Sequence, residues 1–244
     1  MKVIDSHMHL GECRIFGLNV AEEQLLKYFD KYNITAAVVQ PFPGAPDPVE
    51  THNRIFELSK RLKGKVYGMA SINPHLGEEV VARELDRVLG ELGFVAIKLH
   101  TLGHAIPPAN PRATVLFEKA AKYRVPVMVH TGPGPFSDPV NVAPRAEEYT
   151  DVKIILAHAG FGVYTPAAMW LAKKYDNIYL EPSWVPVYDL AMLVAETPDK
   201  LLFGTDLLEN TPVEFAKIES LQLPDDVREQ VLYKNAKEVF NLKL

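Results

Sequence analysis

The stretch His7-Met8-His9-Leu10-Gly11-Glu12-Cys13 follows the first apolar run of the chain and decides the fold. Along the whole sequence, short β-rich apolar runs alternate with longer amphipathic segments, which is the pattern of parallel strands joined by crossover helices. Such a pattern suits either an open doubly wound sheet or a closed barrel. An open sheet of this kind carries a glycine-rich G-x-G-x-x-G turn after its first strand. Since residues 7–13 lack that turn, the sequence favours the barrel.

The number of predicted strands supports the same conclusion. Eight apolar runs have the length and composition of strands, at residues 3–10, 36–41, 66–71, 94–100, 127–130, 154–158, 178–181 and 201–204. Helical periodicity is present at residues 22–32, 50–62, 78–92, 112–123, 143–149, 166–175, 187–197, 225–233 and 236–242. The α/β chain is therefore predicted to form a (β/α)8 TIM barrel, as a single domain over residues 1–244 with extra C-terminal helices.

Composition and charge narrow the range of partners. The chain has 244 residues, of which 48% are hydrophobic and 23% charged, and this excludes a disordered or fibrous protein. Its 31 acidic and 26 basic residues give a net charge of -5, which offers no field to attract nucleic acid. The one cysteine, Cys13, has no disulfide partner, and no apolar run approaches the roughly 18 residues that span a bilayer. We expect a cytoplasmic protein with a small-molecule substrate, no nucleic-acid or membrane partner, and an open question of homo-oligomerisation.

Polar residues collect at the carboxyl ends of the predicted strands. Five of the eight histidines lie there and one aspartate follows the last strand: His7, His9, His100, His130, His158 and Asp206. In a barrel the carboxyl ends of all strands meet at one face, so residues far apart in sequence converge. Imidazole nitrogens with a carboxylate oxygen suit Zn²⁺ best, with Mn²⁺, Fe²⁺, Co²⁺ or Ni²⁺ as alternatives. Asp5, one layer deeper, is expected to accept a hydrogen bond from a ligating ring.

Each of these residues also has a structural explanation. A single buried histidine is often satisfied by an ordinary hydrogen bond, but such histidines have no reason to select the same end of strands one, five and six. Lys98 shares a strand face with His100 and has three explanations. It forms an ion pair with a carboxylate of the site, contacts an acidic substrate, or is carbamylated and bridges two metals. The sequence leaves these three open.

Aromatic residues gather in the loops that follow the strands: Phe16, Phe42, Phe136, Phe161, Tyr164, Trp184 and Tyr188. They either line a mostly apolar pocket or pin the loops to the barrel rim. If they line a pocket, the substrate is a small ring-containing acid whose carboxylate faces Arg14, Lys98 or His104. The candidate substrate-binding residues are Lys98, His100, Arg14 and Trp184.

Five segments, taken together and in order, resemble the amidohydrolase superfamily, in its amidohydrolase-related branch of TIM-barrel metal-dependent hydrolases and decarboxylases. They are IDSHMH (4–9), GFVAIKLH (93–100), VMVHTG (127–132), ILAHAG (155–160) and LFGTD (202–206). The resemblance implies that the principal metal is bound by His7, His9, His130 and Asp206, and that Asp206 also shuttles the proton. His158 would orient the attacking water or the substrate, or bind a second metal together with a carbamylated Lys98. One ion is favoured over two.

The expected reaction is hydrolysis of an amide, ester or lactone bond in a small carboxylate-bearing molecule. A divalent ion lowers the pKa of its bound water toward ~7, while Asp206 accepts the proton and returns it to the leaving group. The alternative is a nonoxidative decarboxylase, in which the same ligands serve while CO₂ leaves an unsaturated or aromatic acid. A TatD-type nuclease is disfavoured because its barrel carries a metal-binding glutamate where this chain has Lys98. An inactive scaffold is disfavoured because a structural zinc site needs no extra acid-base group.

Overall fold

The computed structural model describes residues 1–244, and a sheet of eight strands forms its centre. The strands are β1 (Ile4–Cys13), β2 (Leu18–Val20), β3 (Ala36–Pro41), β4 (Val66–Ser71), β5 (Ala96–Leu99), β6 (Val127–His130), β7 (Ile154–Ala157) and β8 (Ile178–Glu181). They pair in the order β2-β1-β3-β4-β5-β6-β7-β8, and every pair is parallel except β1 with β2. Strands and helices alternate as the hydrophobic pattern predicts.

Ten α-helices surround the sheet. They are α1 (Glu22–Lys31), α2 (Pro48–Arg61), α3 (Glu78–Asp86), α4 (Thr114–Tyr123), α5 (Ala143–Glu148), α6 (Thr165–Lys174), α7 (Val187–Glu196), α8 (Thr211–Ser220), α9 (Asp225–Glu229) and α10 (Asn235–Val239). Two π-helical turns, Arg87–Glu91 and Gln230–Lys234, continue α3 and join α9 to α10. None of the helices has the length and apolar character needed to cross a membrane.

The last predicted strand closes the barrel without forming a regular ladder. Leu201 bridges to Leu180 of β8, and Asp206 bridges to Met8 of β1. Backbone hydrogen bonds run from Leu202 N to Leu180 O (2.8 Å) and from Asp206 N to His7 O (2.7 Å). The left-handed backbone at Asp206 (φ 65°) ends the extended segment at that point. The predicted (β/α)8 barrel is confirmed.

The first strand is longer than predicted and ends in a hairpin. It continues past the barrel rim to Cys13, and the chain then turns back into β2, with Gly11 opposite Val20. The left-handed backbone of Gly11 (φ 92°) and Gly17 (φ 64°) permits this path. Short length and the lack of an Asn-Gly or Asp-Gly turn hid this hairpin in the sequence.

The barrel interior divides into an apolar base and a polar top. Inward-facing residues of the base, such as Ile4, Met69 and Met128, pack against the C-terminal segment, including Phe240 and Leu242. At the carboxyl ends of the strands the buried side chains are polar or charged: Gln40, Ser71, Lys98, His7 and Glu181. A second apolar cluster fills the space between the strands and the outer helices. Within the barrel interior, buried polar groups are therefore concentrated where the strands end and the site lies.

Candidate metal centre

Three predicted ligands meet at the junction of β1 and the closing segment. Nε2 of His9 lies 3.1 Å from Oδ1 of Asp206, and Nε2 of His7 lies 3.3 Å from the same oxygen. One ligand atom from each of the three residues lies within 4.8 Å of the others. His7 and His9 are two apart in one strand, so their side chains share a face. Two nitrogens and one oxygen converging in this way fit a divalent cation.

The electrostatics of this group favour metal binding. Burial lowers the pKa of His7 well below its usual value, so the ring is neutral and keeps a lone pair for an ion. Burial alone would raise the pKa of Asp206, but the facing His7 and the hydrogen bond from His9 hold that pKa well below its usual value. The aspartate is thus a carboxylate. Nδ1 of His9 is buried without a hydrogen-bond partner.

The carboxylate behind His7 belongs to Glu181, at the end of β8. Its Oε2 accepts a hydrogen bond from Nδ1 of His7 at 2.8 Å, and its side chain is fully buried. Burial raises the pKa of Glu181 to about 7, while the backbone N–H of Ser183 opposes that rise. A carboxylate in this position fixes the ring and leaves Nε2 free for a metal. Sequence reasoning missed Glu181, although its place at a strand end was the available signal.

The role expected of Asp5 is therefore wrong. Its Oδ1 accepts the backbone N–H of His7 at 3.0 Å, and its Oδ2 accepts the hydroxyls of Tyr28 and Thr205. Burial raises the pKa of Asp5 to about 7, and the hydrogen bond from Tyr28 opposes that rise. Asp5 holds the backbone of the ligand-bearing strand at the bulge between Asp5 and Met8 and makes no contact with a ligating ring.

His158 is oriented by a short chain of hydrogen bonds. Its Nδ1 lies 2.8 Å from Oγ of Ser183, which in turn lies 3.0 Å from Oε2 of Glu181. The serine hydroxyl donates to the carboxylate and so accepts the N–H of His158. This arrangement leaves Nε2 of His158 unprotonated on the cavity side. The strained left-handed backbone of His158 (φ 65°) holds the ring there.

His130, the remaining predicted metal ligand, lies beside the group without joining it. Its ring stacks on His100 at 4.2 Å between centroids and meets His158 edge-on at 4.8 Å. No nitrogen of His130 belongs to the set of ligand atoms within 4.8 Å of one another. Nδ1 of His130 is buried without a partner, and burial lowers the pKa of this histidine well below its usual value.

Lys98 lies under the metal group. Its Nζ is 2.9 Å from Nε2 of His7, and the residue is only 1% exposed. Burial lowers the pKa of Lys98 to about 8, while the carboxylates of Asp206 and Glu181 oppose that fall. Because Nδ1 of His7 donates to Glu181, Nε2 accepts a hydrogen bond from Lys98. The ammonium and a metal ion would thus compete for the same lone pair.

A cavity of about 390 Å³ opens above the group. Its polar wall consists of His9, His100, His130, His158 and Asp206, and four of the seven loop aromatics complete it: Phe16, Phe42, Phe161 and Trp184. The other three, Phe136, Tyr164 and Tyr188, do not line it. A larger open hollow of about 530 Å³, between residues 74–78 and 111–118, contains none of the predicted site residues.

Three basic candidates for substrate binding lie outside this cavity: Arg14, His104 and Lys98, which is buried under the metal group. Arg14 is on the exposed hairpin turn, where its side chain is 70% exposed and lies 3.5 Å from Glu12. His104 is buried behind His100, with ring centroids 6.4 Å apart, and burial lowers its pKa to about 4. None of the three lines the cavity, whereas His100 and Trp184 do.

Comparison with known families gives one match to a family model. A family model described as amidohydrolase matches residues 4–242. No curated protein sequence matches the chain significantly.

Solved structures resemble the barrel over its full length. They include 2,6-dihydroxybenzoate decarboxylase from Rhizobium, with a TM-score of 0.80, 17% identity, and coverage of 100% of this chain and 99% of that one. A dihydroxybenzoic acid decarboxylase from Polaromonas, with bound manganese and the inhibitor 2-nitroresorcinol, has a TM-score of 0.78 and 19% identity, with coverage of 100% of this chain and 98% of that one. A probable 2-pyrone-4,6-dicarboxylic acid hydrolase from Acinetobacter baumannii has a TM-score of 0.70 and 15% identity, with coverage of 99% of this chain and 100% of that one. At such identities the likeness shows the fold alone.

Proposed function

Because the chain belongs to the amidohydrolase family, we propose that it removes CO₂ without oxidation from a small aromatic or unsaturated carboxylic acid. One observation carries the proposal: His9, His158 and Asp206 share the wall of a cavity of about 390 Å³ with four aromatic side chains. Decarboxylation and hydrolysis both fit the family. The substrate class is supported by the aromatic-acid decarboxylases among the similar structures.

We propose a single divalent ion held by His7, His9 and Asp206; the predicted fourth ligand, His130, lies beside these three and would complete the set only by turning toward them. This nitrogen and oxygen set suits Zn²⁺ by ligand chemistry, and Mn²⁺ is the alternative because the Polaromonas enzyme contains it. When bound, the ion would hold oxygen atoms of the substrate and draw electron density from the carbon that loses CO₂. Binding of this ion to Nε2 of His7 would displace the contact with Nζ of Lys98, and a Lys98 that stays an ammonium would repel a second cation, which supports one ion over two.

The walls of the cavity are suited to a flat ring. Phe161 and Trp184 lie nearly parallel, at 15° and 6.2 Å between centroids, and Phe42 stacks on His9 at 4.2 Å. Aromatic walls exclude water from a bound substrate. A carboxylate that loses its hydration in such surroundings gains from leaving as neutral CO₂.

His158 is the residue that would transfer the proton. In the proposed reaction the bond from the substrate carbon to its carboxylate breaks, the electron pair stays on that carbon, and a proton replaces the CO₂. Nε2 of His158 faces the cavity and accepts a proton from water or from a substrate hydroxyl. Burial lowers the pKa of His158, so a proton held there is readily given up. His100 completes the polar wall against the substrate oxygens.

Hydrolysis of a lactone, ester or amide is the second candidate. The observation that favours it is that Asp206 also reaches the cavity wall, where a carboxylate accepts a proton from an attacking water. The Acinetobacter protein among the similar structures is described as a probable hydrolase of this kind. In either case we propose that residues 1–244 act as one domain on a small molecule in the cytoplasm, and the net charge of -5 argues against nucleic acid.

The test combines metal analysis with product detection. Protein purified without chelator is assayed for metal per chain, and a panel of hydroxybenzoates, unsaturated acids and lactones is screened for CO₂ release and ring opening. We expect about one ion per chain, CO₂ from at least one ring-containing acid, and loss of both in His7→Ala and Asp206→Ala. Ring opening without CO₂ would replace decarboxylation by hydrolysis. Failure to bind any ion after reconstitution would overturn the proposal.

A further inference from the structure

We propose that Trp184 is a positioning residue that fixes how Asp206 presents its carboxylate to the metal, and that Glu214 of helix α8 sets this contact from a distance. The inference rests on the proposed metal centre. Its basis is a hydrogen bond from Nε1–H of Trp184 to Oδ2 of Asp206, 2.8 Å long. An indole N–H donates only, so the Asp206 carboxylate is the acceptor in this contact.

The two oxygens of Asp206 are divided between different partners. Oδ1 faces the ligand nitrogens of His7 and His9, at 3.3 and 3.1 Å. Oδ2 faces away from them and accepts the indole N–H. A carboxylate without this contact rotates about its terminal bond and presents either oxygen, or both, to an ion. The indole therefore selects one-oxygen ligation through Oδ1.

The backbone of Trp184 is itself held by a buried carboxylate. The N–H of Trp184 donates to Oε1 of Glu214 at 2.8 Å, and Glu214 is only 3% exposed. Nζ of Lys217 lies 2.6 Å from Oε2 of Glu214 and donates to the carbonyl of Val185 at 2.8 Å. The residues on both sides of the Trp184–Val185 peptide are thus tied to one helix.

The same carboxylate reaches the backbone next to Asp206. Nδ2 of Asn210 donates to Oε1 of Glu214 at 2.8 Å and to the carbonyl of Thr205 at 3.0 Å. Thr205 immediately precedes Asp206. Trp184 and Asp206 both adopt left-handed backbone, with φ of 67° and 65°. Non-glycine residues keep this strained conformation only where their surroundings impose it, and Glu214 supplies that constraint on both sides of the contact.

Trp184 also forms part of the cavity wall and stacks near Phe161. A side chain with no role beyond lining the cavity needs only its ring. Lining the cavity requires neither the N–H contact with Asp206 nor the buried hydrogen bonds that hold the backbone of Trp184. These contacts therefore indicate a positioning role in addition to lining.

The test uses the two tryptophans of the chain as a matched pair. Trp184→Phe keeps a ring and removes the N–H, while Trp170→Phe alters a 53% exposed side chain on α6 that lies outside the cavity. Zn²⁺ affinity of the metal-free proteins is measured by calorimetric titration, and folding by circular dichroism. We expect Trp184→Phe to bind Zn²⁺ about 10- to 100-fold more weakly, with Trp170→Phe equal to the unaltered protein. Glu214→Gln should weaken binding in the same direction.

Fluorescence gives a second measurement that does not depend on the folding of Trp184→Phe. In Trp170→Phe, Trp184 is the only tryptophan, so excitation that selects tryptophan over tyrosine reports on it alone. Zn²⁺ should change its emission because the charge on its hydrogen-bond acceptor changes. An affinity within twofold of the unaltered protein in Trp184→Phe, or unchanged emission in Trp170→Phe on saturation with Zn²⁺, would overturn the positioning role. If the unaltered protein binds no Zn²⁺ or Mn²⁺, the proposed metal function itself fails, which is a distinct result.

Discussion

Nδ1 of His7 donates a hydrogen bond to the carboxylate of Glu181 across 2.8 Å, although 174 residues separate the two in sequence. We expect Glu181→Gln to weaken metal binding about 10- to 100-fold, because an amide neither fixes the ring as firmly nor raises its basicity. Metal content after dialysis against a graded chelator series measures the effect. Glu196→Gln, which removes a surface pair with Lys173, serves as the control and should leave the metal in place. Full retention of metal in Glu181→Gln would contradict the role given to this contact.

The hydroxyl of Ser183 should determine which nitrogen of His158 carries the proton. Removing it in Ser183→Ala leaves Nδ1 without its 2.8 Å partner, so both tautomers become populated. Nitrogen-15 NMR of the histidine rings measures this directly and needs no substrate. Ser183→Thr keeps a hydroxyl and should restore the single tautomer. An unchanged His158 spectrum in Ser183→Ala would show that the ring is fixed by packing alone.

The metal-free protein should lose stability on mild acidification. Burial lowers the pKa of His52 from 6.5, where its Nδ1 donates to Glu84 and its Nε2 accepts the N–H of Ser71. Below pH 6.5 His52 binds a proton in the unfolded chain but stays neutral in the folded protein. The free energy of unfolding therefore falls as the pH drops from 6.5 toward the lowered pKa. Buried His7, His100, His130 and His158 act in the same direction. The carboxyl groups of Asp5 and Glu181, whose pKa values burial raises to about 7, act in the opposite direction, but the five histidines outnumber them.

Urea unfolding at pH 7.5 and 5.5 tests this expectation. His52→Gln should reduce the difference in unfolding free energy between the two pH values, whereas His75→Gln, at an exposed position, should leave the difference unchanged. An unfolding free energy that does not fall between pH 7.5 and 5.5 would contradict the prediction, since the buried histidines would then not outweigh the carboxyl groups of Asp5 and Glu181.

Phe240→Ala should destabilise the barrel by about 3 to 5 kcal/mol. Its ring is only 3% exposed and packs in the apolar base of the barrel. Removing it leaves a cavity beneath the strands, far from the polar top, so metal content in the folded fraction should not change. Urea unfolding measures the loss. Val213→Ala, at a 53% exposed position, is the control and should change stability by less than about 0.5 kcal/mol.

Regular features of the fold follow from local pattern, and the sequence predicts them well. Strands β3, β4, β6 and β8 have the predicted bounds because short apolar runs between amphipathic helices leave little freedom. The hairpin of β1 and β2 escaped prediction because its three-residue second strand lacks periodicity. The closing segment has the apolar residues of a strand, but it forms only two isolated bridges, and this depends on tertiary contacts.

The sequence predicts which site residues come together only where the strand topology alone brings them together. His7, His9 and Asp206 meet because strand ends share a face and the barrel closes beside β1. The partner of each ring depends on side-chain direction, which the sequence does not contain; hence Glu181 takes the position expected for Asp5. Arg14 lies on the turn of the unpredicted hairpin, which carries it away from the cavity.

The base of the barrel is sealed by residues from Tyr233 to Leu242, and this has a consequence for biosynthesis. During translation every barrel strand leaves the ribosome before the segment that covers their lower end. Until residue 242 has emerged, the interior around Ile4, Met69 and Met128 is open to water. The nascent barrel therefore has an uncovered apolar surface until the segment from Tyr233 to Leu242 has been made and has packed against its base.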